Sequence, residues 1–136
     1  MIDRIDTPGG TVEHFSALVG EGRLDDLIAL YEPDAAFMPE PGRVVSGTES
    51  IRVELQQLVA LAPRMTGVVE QVLHAGDTAL VGYRWRMEAT APDGTAVRQG
   101  GVSADVLRRR PDGTWGVLID APYGVDMAAA TNGTAG

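Results

Sequence analysis

A long hairpin is the feature that most constrains how this chain can fold. Residues 78–90 alternate between apolar and polar side chains, with the period of two that a half-buried β-strand requires. A Pro-Asp-Gly turn at residues 92–94 follows, and residues 96–109 are predicted as the returning strand. The sequence therefore predicts two long, adjacent antiparallel strands.

The same alternation predicts which side chains of the first strand point inward. One of its faces is apolar and aromatic, and the other is mostly charged, so the first face is expected to be buried. Further strands are predicted at residues 65–74 and, after a second Pro-Asp-Gly turn, at residues 115–121. The predicted inward side chains are Ala79, Val81, Tyr83, Trp85 and Met87, and the predicted outward positions are Gly82, Arg84, Arg86 and Glu88.

Two short helices are predicted near the start of the chain. The first covers residues 12–20, with Thr11 as its N-cap. The second covers residues 23–31, where Tyr31 falls on the same apolar face as the leucines that precede it.

A small two-stranded element and a third helix follow. Short strands are predicted at residues 35–38 and 44–45, with prolines and a glycine in the bend between them. Either Ser46 or Thr48 is predicted to cap the third helix. Helices that come first, followed by an antiparallel meander, indicate an α+β domain in which the helices cover one face of the sheet.

Residues 22–61 resemble the ketosteroid-isomerase-like and SnoaL-like group of the nuclear-transport-factor-like superfamily. This resemblance implies a cone-shaped α+β fold, with N-terminal helices packed on a strongly curved, mostly antiparallel sheet. It extends over residues 11–124, which predicts one domain between an N-terminal arm, 1–10, and a disordered tail, 125–136. The matching positions are Gly22, Leu24, Leu27, Leu30, Tyr31, Asp34, Ala35, Gly47 and Ile51.

Composition excludes several classes of function. The 136 residues carry a formal charge of -8, and binding to phosphate needs a basic face, so we expect no nucleic-acid partner. The chain has no cysteine, which excludes disulfides and thiolate metal sites. No apolar run approaches the roughly 18 residues of a membrane span, and the N-terminal residues lack the apolar core of a signal peptide. We therefore expect a cytoplasmic protein with no membrane partner.

The resemblance also implies an apolar pocket with a few acidic groups, but the ketosteroid isomerase residues are only partly present. The family's oxyanion tyrosine matches Phe15, which has no hydroxyl group, and its catalytic base matches Pro39. Glu40 is adjacent, but neighbouring strand residues are expected to point to opposite faces. The protonated aspartate of the family matches Asp105, so steroid isomerisation by the known route is not expected.

Asp105 is the most informative single acid. If it faces inward, Ser103 faces inward with it, and Asp105 becomes a proton carrier or a hydrogen-bond donor. If it faces outward, it is expected to pair with Arg84 or Arg86 on the neighbouring strand. A bulge at residues 100–101, which are both glycine, would reverse its direction.

Asp120 is the second candidate acid. SnoaL-like cyclases use a pocket carboxylate as acid and base, so the resemblance makes Asp120 a candidate partner for Asp105. Alternatively, Asp120 accepts backbone N–H groups and shapes the turn at Pro122. Tyr123, which follows, is expected either to line the mouth of the pocket or to cover the end of the sheet.

The remaining candidate residues are those expected to contact a ligand. No nucleotide cofactor is predicted, because the glycine pairs lack the context of a phosphate-binding loop. No metal site is predicted, because the chain has only two histidines, distant in sequence and without metal-binding spacing. The predicted ligand-binding residues are Phe15, Tyr31, Tyr83, Trp85, Ser103, Tyr123 and His14.

Three functions agree with this sequence. The first is cofactor-independent proton transfer on a hydrophobic carbonyl compound, with Asp105 and Asp120 as the acid/base pair. The second is a binding module that holds a hydrophobic small molecule or a partner without catalysis. The third is an assembly domain, a role that the fold has in some kinases. The resemblance further implies a homodimer formed through the open face of the sheet.

Overall fold

The computed structural model of the protein describes residues 4–124. The predicted tail, 125–136, and the first three residues of the predicted arm lie outside the described residues. The helices are a short 3-10 turn Arg4–Asp6, α1 Pro8–Glu21, α2 Leu24–Ala29 and α3 Thr48–Ala60. The strands are β1 Tyr31–Glu40, β2 Arg43–Ser46, β3 Arg64–Ala75, β4 Thr78–Thr90, β5 Ala96–Arg109 and β6 Trp115–Ala121.

The six strands form one sheet in the order β2-β1-β6-β5-β4-β3. All neighbours are antiparallel except β1 and β6, which are parallel. Helix α1 packs on β3, β4 and β6, and α3 packs on β1 and β2. The predicted α+β cone is confirmed. Within residues 4–124, no helix has the length and apolar content needed to cross a membrane.

The central hairpin forms as its sequence predicts. Strands β4 and β5 pair without a register shift from Thr78 opposite Arg108 to Thr90 opposite Ala96. The glycines at 100–101 therefore sit in regular pairing with β4 and do not form a bulge between these strands. The five side chains predicted to face inward from β4 are all buried, with exposed fractions between 0% and 7%.

The start of α1 differs from the prediction. Thr7 is the N-cap, its hydroxyl oxygen accepts the Gly10 N–H at 3.0 Å, and Pro8 occupies the first turn, where a missing N–H is harmless. The predicted cap, Thr11, is instead fully buried inside the helix, and its hydroxyl donates to the Trp115 carbonyl at 3.1 Å. The prediction was wrong because it treated Pro8 and the following glycines as the end of an arm.

Two other helix boundaries also differ from the prediction. Helix α2 ends at Ala29, and Tyr31 is the first residue of β1 and not part of a helical face. The N-cap of α3 is Gly47, with φ of 85°, and no side chain caps that helix, so neither Ser46 nor Thr48 has the predicted role. The end of α2 and the start of α3 are set by packing against the sheet rather than by local sequence preference.

Candidate active site

A cavity of about 330 Å³ lies between the helices and the inner face of the sheet. Exposed lining residues on β2 and in the C-terminal half of α3, among them Arg43 and Gln57, mark its mouth, and most of its wall is apolar. Its apolar and aromatic lining comprises Val12, Phe15, Phe37, Pro39, Leu58, Leu61, Met65, Tyr83, Trp85, Met87, Val97, Val117, Pro122 and Tyr123. Its polar lining comprises Glu40, Arg43, Glu54, Gln57, Gln99, Ser103, Asp105 and Asp120.

Two aspartates meet inside this apolar cavity. Asp105 on β5 is the direct register partner of Asp120 on β6, and both residues line the cavity. Opposite residues of an antiparallel pair have their side chains on the same face and close together. Two carboxyl groups at this spacing cannot both ionise without strong repulsion, so a shared proton is the favoured state.

Asp105 is the more buried of the two acids. Only 5% of the residue is exposed, and the Ser103 hydroxyl donates to its Oδ2 at 2.7 Å. Its Oδ1 is buried and accepts no hydrogen bond from the described residues. Burial first, and then the charge of Asp120, raise the pKa of Asp105 well above its usual range. Asp105 is therefore the group of the pair that holds the proton.

Asp120 is held from the opposite side by a tyrosine. The Tyr31 hydroxyl donates a hydrogen bond to Asp120 Oδ2. Burial raises the pKa of Asp120, while the hydrogen bonds from Tyr31 and from Asp105 oppose that rise. Burial and the adjacent Asp120 raise the pKa of Tyr31 well above its usual value, so Tyr31 remains a donor. These two hydrogen bonds favour the carboxylate form at Asp120 over the carboxylate form at Asp105.

The aromatic walls have their polar atoms occupied by the protein itself. Trp85 Nε1 donates to the Pro122 carbonyl at 2.6 Å, and the Trp85 ring meets Tyr123 edge-on with centroids 5.6 Å apart. The hydroxyl groups of Tyr83 and Ser16 share a hydrogen bond of 2.8 Å. With these atoms engaged, Trp85 and Tyr83 present mainly ring surface to the cavity.

The cavity brings together most of the residues singled out from the sequence. Phe15, Tyr83, Trp85, Ser103 and Tyr123 line it with the two aspartates. The other two predicted ligand contacts are not part of the lining. Tyr31 reaches the site through Asp120, and His14 lies on α1 with a buried Nδ1 that has no partner among the described residues.

The mouth of the cavity contains a charged group that sequence reasoning missed. The Arg43 guanidinium donates to both carboxylate oxygens of Glu54, at 2.7 and 3.1 Å, and to Glu40 Oε1 at 2.8 Å. These contacts join β2 to α3, and no local pattern in the sequence signals them. Glu40 lines the cavity together with Pro39, contrary to the expected alternation. The β1–β2 register shifts between Phe37 and Glu40, which breaks that alternation.

Comparisons with known proteins agree with this geometry. The profile of a family described as the SnoaL-like domain matches residues 12–115. No curated protein sequence matches the chain significantly. Several hundred solved structures are similar to it, 334 chains in all, and three of these are informative here.

The first is a ketosteroid isomerase-like protein from Erwinia carotovora atroseptica, 16% identical, with a TM-score of 0.74 over 88% of this chain and 95% of that chain. The second is a protein from Streptomyces avermitilis proposed to be a dehydratase of the NTF2-like family, 22% identical, with a TM-score of 0.73 over 90% and 96%. The third is a conserved protein from Planctomyces limnophilus, 19% identical, with a TM-score of 0.76 over 85% and 91%. At these identities the likenesses establish the fold.

Proposed function

The chain belongs to the SnoaL-like domain family, and from that membership we propose that it transfers protons on a hydrophobic carbonyl compound without a cofactor. The observation that supports this proposal is the facing pair Asp105 and Asp120 at the wall of an apolar cavity. Acid and base groups in pockets of this kind have pKa values moved toward neutral pH by burial.

The two aspartates would divide the chemistry between them. Asp120, the carboxylate, removes a proton from the carbon next to the substrate carbonyl, and the C–H electron pair becomes the enol double bond. Asp105, the protonated acid, gives its proton to the carbonyl oxygen, so no net charge remains on the enol. For an isomerisation the substrate carries a C=C bond next to the enolised carbon: the enol O–H returns its proton to Asp105, and Asp120 gives its proton to the far carbon of the resulting diene. For a cyclisation the enol carbon attacks a second carbonyl of the same molecule, the enol O–H returns its proton to Asp105, and the new alkoxide takes the proton held by Asp120.

This route differs from that of ketosteroid isomerase. Phe15 and Pro39 line the cavity, but neither can donate or accept a proton. That difference also supports a second candidate, in which the cavity binds a hydrophobic compound without changing it. The two candidates predict different results in deuterated solvent.

The test is deuterium exchange on a compound that binds. Hydrophobic ketones would be screened by thermal shift, and each hit would be incubated with the protein in D2O and followed by proton NMR. We expect deuterium at the carbon next to the carbonyl, with a rate lowered about 100-fold or more by Asp120→Asn. Binding without exchange would favour the second candidate, and exchange unchanged in Asp120→Asn would refute the proposed base.

We also propose that the outer face of the sheet joins two copies of the chain. An apolar row crosses four strands in register and is largely exposed, with 51% of Leu73, 40% of Leu80 and 43% of Ile119 accessible. Sequence alternation showed only the charged positions of this face, so the row was not predicted. A contiguous exposed apolar surface of this kind is typical of protein interfaces. Its members are Leu73, Leu80, Val106 and Ile119.

Sedimentation velocity tests this interface directly. We expect the unmodified chain to sediment as a dimer and Leu80→Glu to sediment as a folded monomer, because a charge would be buried in the contact. Val53→Glu is the matched control, since Val53 is 53% exposed on α3, away from the sheet. A monomeric parent, or a dimer that survives Leu80→Glu, would contradict this arrangement.

A further inference from the structure

Acidic side chains outnumber basic ones in the described lining of the cavity. Its described lining holds four carboxyl groups and a single basic side chain, Arg43. Arg43 is occupied, because it donates three hydrogen bonds to Glu40 and Glu54 at the mouth. The four carboxyl groups are those of Glu40, Glu54, Asp105 and Asp120. No free cation in this lining is available to a carboxylate or phosphate ligand.

One buried oxygen of the cavity lacks a donor. Asp105 is 5% exposed, and its Oδ1 accepts no hydrogen bond from the described residues, while Oδ2 accepts from Ser103. A buried polar atom that makes no hydrogen bond carries a free-energy penalty. A ligand that donates a hydrogen bond to it removes that penalty and so gains binding free energy. A ligand that only accepts hydrogen bonds cannot use this oxygen.

We infer that the cavity binds apolar amines as ammonium ions, in preference to neutral or anionic compounds with the same carbon skeleton. An ammonium group carries both the hydrogen donors that Asp105 Oδ1 lacks and a positive charge. That charge offsets the repulsion between Asp105 and Asp120, so both can be ionised when the ligand is bound. The proton that the pair shared then passes either to a neutral amine, which becomes the ammonium ion, or to water.

The aromatic walls favour the same ligand class. Phe15, Trp85 and Tyr123 line the cavity with the aspartates, and the negative face of an aromatic ring attracts a cation that has left water. The apolar wall holds the carbon skeleton of the ligand, and the aspartates hold its charged end. Acidic groups at the mouth also raise the local concentration of cations and lower that of anions.

This inference rests on the cavity being the binding site, as in the proposed function, but it does not need the catalytic step. The test is isothermal titration calorimetry of the full chain at pH 7 with 2-naphthylmethylamine, 2-naphthylmethanol and 2-naphthoate. We expect the amine to bind at least about tenfold more tightly than the alcohol, because charge-assisted hydrogen bonds are roughly twice as strong as neutral ones. No binding of the carboxylate is expected.

Two variants make the result specific to the aspartate pair. Asp105→Asn keeps the shape of the side chain but cannot carry a negative charge, and we expect it to abolish the preference for the amine over the alcohol. Asp34→Asn is the control, because Asp34 is an exposed acid outside the cavity lining. It should leave all three affinities unchanged.

The possible outcomes separate this inference from the proposed function. An alcohol that binds as tightly as the amine, an amine affinity unaffected by Asp105→Asn, or binding of none of the three compounds overturns the inference. If ketones still exchange deuterium in any of these cases, the proposed proton transfer stands alone. If the amine binds as expected and no ketone exchanges deuterium, the inference about amine binding is supported and the proposed proton transfer is refuted.

Discussion

Asp105 and Asp120 are direct partners on neighbouring antiparallel strands, so the central strand pairing of the sheet forces two carboxyl groups together in an apolar cavity. Their surroundings are unequal. Ser103 donates to one acid and Tyr31 to the other, and only Asp105 has a buried oxygen that accepts no hydrogen bond from the described residues. This inequality assigns the proton to Asp105 and the charge to Asp120, and it leads to the first two predictions.

Asp105→Asn should stabilise the protein above about pH 4. The folded pKa of Asp105 is raised above its unfolded value, so the native state holds the proton more tightly and stability is lost as pH rises above the unfolded value of about 3.9. Asparagine removes this loss, which amounts to up to about 1.4 kcal/mol per pH unit for one group. Calorimetric melting between pH 4 and pH 8 measures it.

The control for this prediction is Asp77→Asn, a turn residue whose side chain is 77% exposed. Because this acid is on the surface and far from the buried pair, its replacement should change the free energy of unfolding by less than about 1 kcal/mol. A difference for Asp105→Asn that stays flat over the same range would show that Asp105 ionises normally in the folded protein.

Tyr31→Phe should raise the pKa of Asp120 further, because it removes a hydrogen bond that stabilises the carboxylate. Carboxyl carbon NMR during a pH titration measures this shift. Tyr83→Phe is the matched control, since Tyr83 also lines the cavity but its hydroxyl contacts Ser16. The same Asp120 pKa in the parent and in Tyr31→Phe would show that Tyr31 does not stabilise the Asp120 carboxylate.

Gly67→Ala should destabilise the fold by about 1–3 kcal/mol. A Cβ at Gly67 would overlap the ring of Tyr83 and lie 2.6 Å from the Arg84 carbonyl oxygen, which is part of the backbone and cannot move aside easily. At Gly82, by contrast, the nearest atom to a new Cβ is 3.8 Å away, so Gly82→Ala should be nearly neutral. Urea denaturation of the two variants gives the comparison, and equal midpoints would contradict it.

Glu32→Gln should cost about 2 kcal/mol or more of the free energy of unfolding. The Glu32 side chain is 10% exposed and accepts from Arg108 Nε at 3.0 Å and from Arg110 Nε at 2.8 Å. Asp34→Asn removes an ion pair with the same Arg108, but the Asp34 side chain is 67% exposed, so its loss should be below about 1 kcal/mol. Chemical denaturation measures the free energy of unfolding of both variants. A larger decrease in Asp34→Asn than in Glu32→Gln would contradict this prediction.

Local patterns were sufficient to predict much of the fold. The hairpin of β4 and β5 depends on side-chain alternation and a Pro-Asp-Gly turn, both visible within a single stretch, and its strand ends match the structure. Helix ends were less predictable, because Thr11 and Tyr31 are positioned by contacts with distant strands.

The site was only partly predictable for the same reason. The resemblance pointed to Asp105 and Asp120 separately, but their meeting depends on the β5–β6 register. The role of Tyr31 depends on a parallel pairing of β1 with β6, for which the sequence has no periodic signal. The ion pair of Arg43 with Glu54 is a contact between a strand and a helix, and charge alone does not reveal it.

The place of β6 between β1 and β5 sets the order in which the protein can mature during synthesis. Tyr31 and Asp120 are 89 positions apart, so at roughly 5–20 residues per second Tyr31 is added to the chain about 4–18 seconds before its partner. During that interval one long edge of β1 is unpaired and open to wrong strands. The candidate site is therefore completed in one late step, and a nascent chain that stops short of β6 lacks both Asp120 and the strand that joins β1 to β5.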